Sequence, residues 1–311
     1  MSDIQPKVTQ GNTILLSDYN NIQTKIATVL GTGSGQSGYG QTVSSSQLSA
    51  KSVIDDAHWD NLRTDLLKAR QHQTGADEST GLTDIAAGQL IDDAVITAYE
   101  TFATTVVNNK FAIASNQIAY QPLVSTAIGV WNGTRTATVT FSFASADAAR
   151  YFFNSGSYLR ITGQAGLNDP AKPKDYSWYL MTAAEVGTIG VGYNYSISTN
   201  GSSPAIANSS LGFYNLTNSY QRIVSKGAAA GVYVENRYYI DIACDVTSNT
   251  SGGATKVYVR VSFEDNDLGD QTGTGAAVDE NISAASVSAD TIYAYGTNVQ
   301  VATPTITIPA F

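Results

Sequence analysis

The stretch Thr134-Arg-Thr-Ala-Thr-Val-Thr-Phe-Ser-Phe143 alternates polar and apolar side chains without a break. Val139, Phe141 and Phe143 fall on one face, and Thr138, Thr140 and Ser142 on the other. A period of two is the mark of a strand with one side buried, because successive strand side chains point to opposite faces. Val257, Val259, Val261 and Phe263 repeat the pattern against Tyr258, Arg260 and Ser262. Two such stretches in one chain predict a mainly antiparallel sheet with one dry and one wet face.

Outward from these two stretches, further strands are expected at 158–162, 187–198, 220–225, 232–246, 291–295 and 299–308. Turn residues separate them, among them Asn154-Ser-Gly156 and Ser251-Gly-Gly253. Short helices are expected around 145–153 and 176–185. In the other direction the period changes near residue 115. Tyr19, Ile22, Ile26 and Val29/Leu30 follow helical spacing behind Ser17 or Asp18 as a cap, with Gly31 as the C-terminal stop. A second helix opens at Asp55 or Asp56, carries Trp59, Leu62, Leu66 and Ala69, and stops by Gly75. His72 falls in its last turn, where a cation suits the dipole. A third helix runs from about Asp92 to Asn109 with Val95, Tyr99, Phe102 and Val106 in register. The expected class is therefore α+β: a small helical region over 1–115, followed by a β-sandwich or jelly-roll-like domain over 116–311.

Three helices with narrow apolar stripes and long glycine-rich joints make a thin core. Residues 1–115 are expected to dock or oligomerise, completed by another subunit or another protein. Tyr19, Trp59, Tyr99 and Phe102, with the terminal Phe311, are the side chains expected at such interfaces. The closing Thr303-Pro-Thr-Ile-Thr-Ile-Pro-Ala-Phe311 also alternates, and would add a strand to a neighbour's sheet or close its own.

Composition narrows the function. The chain has 311 residues, and only 14% are charged where a soluble domain averages about 25%. With two His and one Cys, a disulfide framework and a structural zinc site are both excluded. A net charge of −9 gives no basic field for nucleic acid. The opening Met-Ser-Asp-Ile-Gln-Pro-Lys is polar with no apolar run behind it, so neither a signal peptide nor a membrane span is expected. Cys244 shares a strand face with Tyr238, Ile240 and Ile242, and is expected reduced and buried.

Candidate motifs are few. Gly33-Ser-Gly35-Gln-Ser-Gly38 is a literal G-x-G-x-x-G, but it follows a helix and no strand precedes it, so it reads as an extended loop. Glu264, Asp265, Asp267 and Asp270 cluster after a strand. A hard oxygen-liganded cation such as Ca²⁺ would need such carboxylates, against the plainer reading of a solvated acidic loop. His58 and His72 stand too far apart on one helix to share a metal, and no nucleophile elbow exists. No catalytic residue, cofactor site or metal site is assigned. The tyrosines, 18 in all and concentrated in the β region, suit subunit packing, half-buried strands or contact with sugars.

One combination of motifs goes further. Trp131-Asn-Gly-Thr-Arg-Thr-Ala-Thr-Val-Thr-Phe141, Ala149-Arg-Tyr-Phe-Phe-Asn154 and Leu159-Arg-Ile-Thr162 stand in that order. Trp178, Val186-Gly-Thr-Ile189, Gly212-Phe-Tyr-Asn-Leu-Thr217 and Tyr233-Val-Glu-Asn236 follow them. Together with Asp18-Tyr-Asn20, Gly38-Tyr-Gly-Gln41 and His72-Gln-Thr-Gly75, this set resembles virion structural proteins of tailed bacteriophages, especially contractile-tailed phages of cyanobacteria. The resemblance covers most of residues 12–265. It implies a non-enzymatic structural component of the tail, neck, baseplate or fibre apparatus, made in the host cytoplasm and resident in the virion. It implies partners among copies of the chain and other virion proteins, with no nucleic acid and no membrane. A receptor- or glycan-binding adhesin of the tail, touching a host surface glycan, and a head decoration protein are the alternatives.

Overall fold

A computed structural model of the chain describes residues 15–33, 37–76, 78–87, 89, 91–129, 131, 133–165, 173–228, 233–266, 285–294 and 303–309. It is α+β, with helices at the N-terminal end and two antiparallel sheets after them. The chain divides into two compact units. One draws its described residues from 15–119, 150–156 and 294, and the other from 120–149, 157–293 and 303–309. No helix among the described residues is long and apolar enough to cross a membrane.

The first unit is built on α1 (Leu16–Leu30), α2 (Asp56–Thr74) and α3 (Asp93–Asn108). Asp55 caps α2 by accepting from His58 N at 3.0 Å, and Asp92 caps α3 by accepting from Val95 N at 3.0 Å. The start of α1 differs from expectation. Leu15 takes the cap position, and Asp18 folds back from inside the first turn to accept from Leu15 N at 3.0 Å. Gly75 ends α2 in the left-handed conformation that glycine adopts without strain, whereas Gly31 after α1 is extended. Thr104 and Thr105, poor helix formers, stay in α3 by donating to the carbonyls of Glu100 and Thr101 one turn back.

The apolar stripes meet as the periodicity requires. Ile22, Ile26 and Val29 of α1, Leu62 and Leu66 of α2, and Ala103 and Val106 of α3 are buried together. The glycine- and serine-rich joint between α1 and α2 is extended and pinned by side chains. Asp65, buried, accepts from Ser44 N, Ser45 N and Ser45 Oγ, while Asn20 brackets the backbone of Leu48. The chain itself adds to this thin core. Residues 150–156, the last turns of α4 (Ala146–Asn154) and the bend after it, belong to the helical unit. There Asn154 Nδ2 donates to Gly38 O at 3.2 Å, and the His72 ring nitrogen lies 2.7 Å from Ser155 O.

After β1 (Ile118–Tyr120), at whose last residue the second unit begins, come β2 (Val124–Ala127), β3 (Thr134–Ser142), β4 (Tyr158–Ala165), α5 (Pro173–Tyr179), β5 (Thr188–Val191) and β6 (Ser196–Ser198). They are followed by β7 (Gln221–Gly227), β8 (Arg237–Cys244), β9 (Lys256–Glu264), β10 (Ala285–Ala294) and β11 (Thr305–Thr307). One sheet has five strands in the order β11-β3-β9-β8-β7. In the six-stranded sheet β10, β4, β5 and β6 follow one another, and β2 pairs with β10. The two alternating stretches are direct neighbours, in register from Thr134↔Glu264 to Ser142↔Lys256. Val139, Phe141, Val259, Val261 and Phe263 are fully buried.

Aromatic rings close the interior. Trp131, Trp178 and Phe263 lie 5.5–6.0 Å apart, centroid to centroid, and Tyr238 packs on Phe263 at 5.2 Å. Edge-on and tilted ring contacts of this kind add about 0.5–1.5 kcal/mol each beyond the area they bury. The strand expected over 187–198 is two, β5 and β6, broken at Gly192–Tyr195. The helix expected at 176–185 starts earlier, at Pro173, and widens into a π-helical turn over Leu180–Val186.

Candidate functional site

The outward face of the five-stranded sheet repeats one arrangement on three adjacent strands. Tyr220 stands just before β7 and Arg222 on it, Tyr239 and Asp241 lie on β8, and Tyr258 and Arg260 lie on β9. In each pair the residues are two apart, so the alternation turns both outward. The register sets Arg222 opposite Asp241, and Asp241 opposite Arg260. One carboxylate is thus shared by two guanidinium groups. Arg260 Nη2 donates to Asp241 Oδ2 at 2.9 Å, and Arg222 donates through Nε and Nη2 to the two oxygens of the same carboxylate. Asp241 is buried, while both arginine side chains are 39% exposed.

The guanidinium planes also rest on tyrosines. Arg222 Cζ lies 3.6 Å from the Tyr239 ring centre, and Arg260 Cζ lies 4.3 Å from that of Tyr220. Contacts of this type contribute about 0.5–1 kcal/mol at exposed sites. The row continues with hydroxyls: Thr138 pairs with Arg260, and Thr307 with Thr138. Beside it Thr136 and Ser262 share a hydrogen bond. This face has rigid rings, fixed guanidinium groups and short hydroxyls, and β3 and β9 point no aliphatic side chain outward from it. Such a surface loses little side-chain entropy when another surface covers it.

The six-stranded sheet repeats the device once. Arg160 on β4 stands opposite Asp290 on β10 and grips its carboxylate with Nε (2.7 Å) and Nη2. That hydrogen bonding holds the Arg160 guanidinium even more firmly charged than usual. Tyr120, 57% exposed, lies under it at 5.2 Å. A cleft of about 300 Å³ opens here, lined among others by Leu123, Arg160, Thr162, Thr188, Asn200 and Asp290.

The residues singled out from the sequence fall elsewhere. Tyr19, Trp59 and Tyr99, expected at a subunit interface, are fully buried inside the helical unit. Trp59 stands edge-on to Tyr19 at 5.5 Å and to Tyr99 at 5.1 Å, and the tyrosine hydroxyls donate to the carbonyls of His58 and Thr83. A residue with no exposed area cannot meet a partner, so these rings serve the chain's own core. Burial, with Asp65 and Asp55 nearby, pushes the Tyr19 hydroxyl up to about 12. Phe102 is half-buried and lines a shallow groove on α3. Phe311 lies outside the described residues.

Of the acidic cluster, Glu264 ends β9 opposite Arg237 and Thr134. Asp265 is not solvated: it is buried against Lys174, Nζ to Oδ2 2.8 Å. Asp267 and Asp270 lie outside the described residues. Among the described residues no three His, Cys, Asp or Glu side chains come together as metal ligands. His72, expected in the last turn of α2 as a partner of the helix dipole, stands there but is buried against Tyr39, ring centres 4.6 Å apart, and burial lowers its pKa below the usual histidine value. Cys244 is buried and its thiol is pushed up by that burial, the opposite of an activated nucleophile.

The paired Tyr-x-Arg, Tyr-x-Asp and Tyr-x-Arg triplets stand in the sequence, but their meaning depends on strand register. No family model, no curated protein and no solved structure matches the chain.

Proposed function

We propose that the chain is a non-enzymatic structural component of a tailed-phage virion, in the tail, neck, baseplate or fibre apparatus. It works by presenting the outer face of its five-stranded sheet to copies of itself and to other virion proteins. The observation that carries this reading is the Tyr220–Arg222, Tyr239–Asp241, Tyr258–Arg260 array. Tyrosine and arginine are the residues enriched where proteins meet, and here both are held in place before contact. The resemblance of motifs over most of residues 12–265 to those of such virion proteins supports the same reading. Gold-labelled antibody against the chain, applied to purified particles of the phage that encodes it, should decorate one fixed location. Absence of the chain from those particles removes the proposal.

A glycan-binding role in the tail is the second reading, favoured by the cleft beside Arg160 and Asp290. A fixed ion pair, hydroxyls, an amide and an exposed Tyr120 ring are groups that can hydrogen-bond and stack on a sugar. Retention of the full chain by host cells, lost on Arg160→Ala together with Tyr120→Ala, would favour it over a purely architectural part.

A further inference from the structure

The ion pair between Lys174 and Asp265 has an unusual setting. Both side chains are buried, at 1% and 0% exposure, with Nζ 2.8 Å from Oδ2. Lys174 lies four residues before Trp178, on the same side of α5, and Asp265 lies two residues past Phe263. The pair therefore borders the Trp131–Trp178–Phe263 cluster. Asp265 is held from two directions. Its own N donates to Gly133 O at 2.9 Å, and the next residue's N donates to the buried Asn236 Oδ1 at 2.9 Å.

We infer that Lys174 and Asp265 condense to an isopeptide bond that ties α5 to the end of β9. Two opposite charges out of water are held at high free energy, and a low-dielectric site favours the neutral amine and neutral acid that one proton transfer yields. The neutral Nζ attacks Cγ of the acid, the C–N bond forms, and one Cγ–O bond breaks. The departing oxygen takes up the protons and leaves as one water. Nothing is oxidised or reduced and no other reactant enters. The fixed approach of amine and carboxyl supplies the proximity that converts a slow bimolecular condensation into an intramolecular one. The product keeps the same packing without either buried charge. This inference concerns the interior of the β unit and holds whatever the chain assembles with.

The test is the covalent state of the full-length protein. After denaturation and proteolysis, mass spectrometry should find one branched peptide holding Lys174 and Asp265, lighter by one water than its two arms. Lys174 in the denatured chain should resist amine-labelling reagents. In Lys174→Met and Asp265→Ala proteins the branched peptide should be missing and the remaining arm linear. Full recovery of both linear peptides from the native protein, with Lys174 freely labelled, overturns the inference, even if neither variant folds. Loss of water without a branched peptide, as from an aspartate closed to a succinimide, also counts against it.

Discussion

Tyr238 reaches from one sheet to the other: on β8 of the five-stranded sheet, it donates its hydroxyl to the carbonyl of Gly163 on β4, at 3.2 Å. Gly163 takes an inward position where any Cβ would collide with that hydroxyl and stand 2.6 Å from Val261 Cγ1. Gly163→Ala should therefore cost about 1–3 kcal/mol by overpacking, although alanine is the better strand former. Tyr238→Phe should cost only about 0.5–1.5 kcal/mol, the net value of one hydrogen bond. Denaturant unfolding of the two variants checks the order.

Asp241 is the shared acceptor of the outer face, so its loss frees two guanidinium groups at once. Asp241→Ala should destabilise the protein by about 1–2 kcal/mol, toward the low end for charged hydrogen bonds because both arginines are partly solvated. Single replacements of Arg222 or Arg260 by Ala should cost less, since the carboxylate keeps one partner. A double-mutant cycle on Arg222 and Arg260 should show coupling between them, and additive effects would contradict the shared geometry.

In the helical unit, Trp59→Ala should cost about 3–5 kcal/mol because it opens a hole between two tyrosine rings. Phe102→Ser, on the half-buried side of α3, should cost clearly less. Thermal unfolding compares them. Equal effects would mean that Phe102 is covered in solution.

Buried, neutral His72 makes stability depend on pH in a defined direction. Its pKa is lower folded than unfolded, so below about 6.5 the unfolded chain takes up a proton that the folded chain resists. Stability from this group is complete above that pH and falls as pH drops toward the folded value. His72→Gln should lower stability at neutral pH and flatten the slope between pH 6.5 and the folded pKa. Melting curves across that range, native against variant, isolate the effect from the carboxylates.

The class was legible because Thr134–Phe143 and Val257–Phe263 need a dry face, and each finds it beside the other. The helix starts at Asp55 or Asp56 and near Asp92 were legible because a helix start is a local matter of one side chain and one turn. The break at Gly192–Tyr195 was not, since both halves of that stretch keep the alternation and only the hairpin back to Ser196 separates them. The aromatic stripes of the helices misled for a physical reason: the same spacing serves a private core and an exposed seam. The outer array needed register, which links Arg222 to Asp241 across a bulge that no periodicity announces. Lys174 and Asp265 stand far apart in the chain, and only the folded sheet brings them together.

The helical unit includes residues 150–156, which follow β3 in the chain. Translation proceeds from the N-terminus, and domains ordinarily fold as they emerge. Here the three helices are synthesised well before the turn that carries Asn154 and Ser155. Until it leaves the ribosome, His72 has no carbonyl to bond and Gly38 lacks its amide donor. β3 is out by then, its alternating face uncovered while its neighbour β9 is still unmade. A nascent chain stalled between β3 and α4 thus exposes an unfinished helical core and an unpaired strand together. In that interval such a chain is open to chaperones, to proteases and to sticking to its own copies on a polysome.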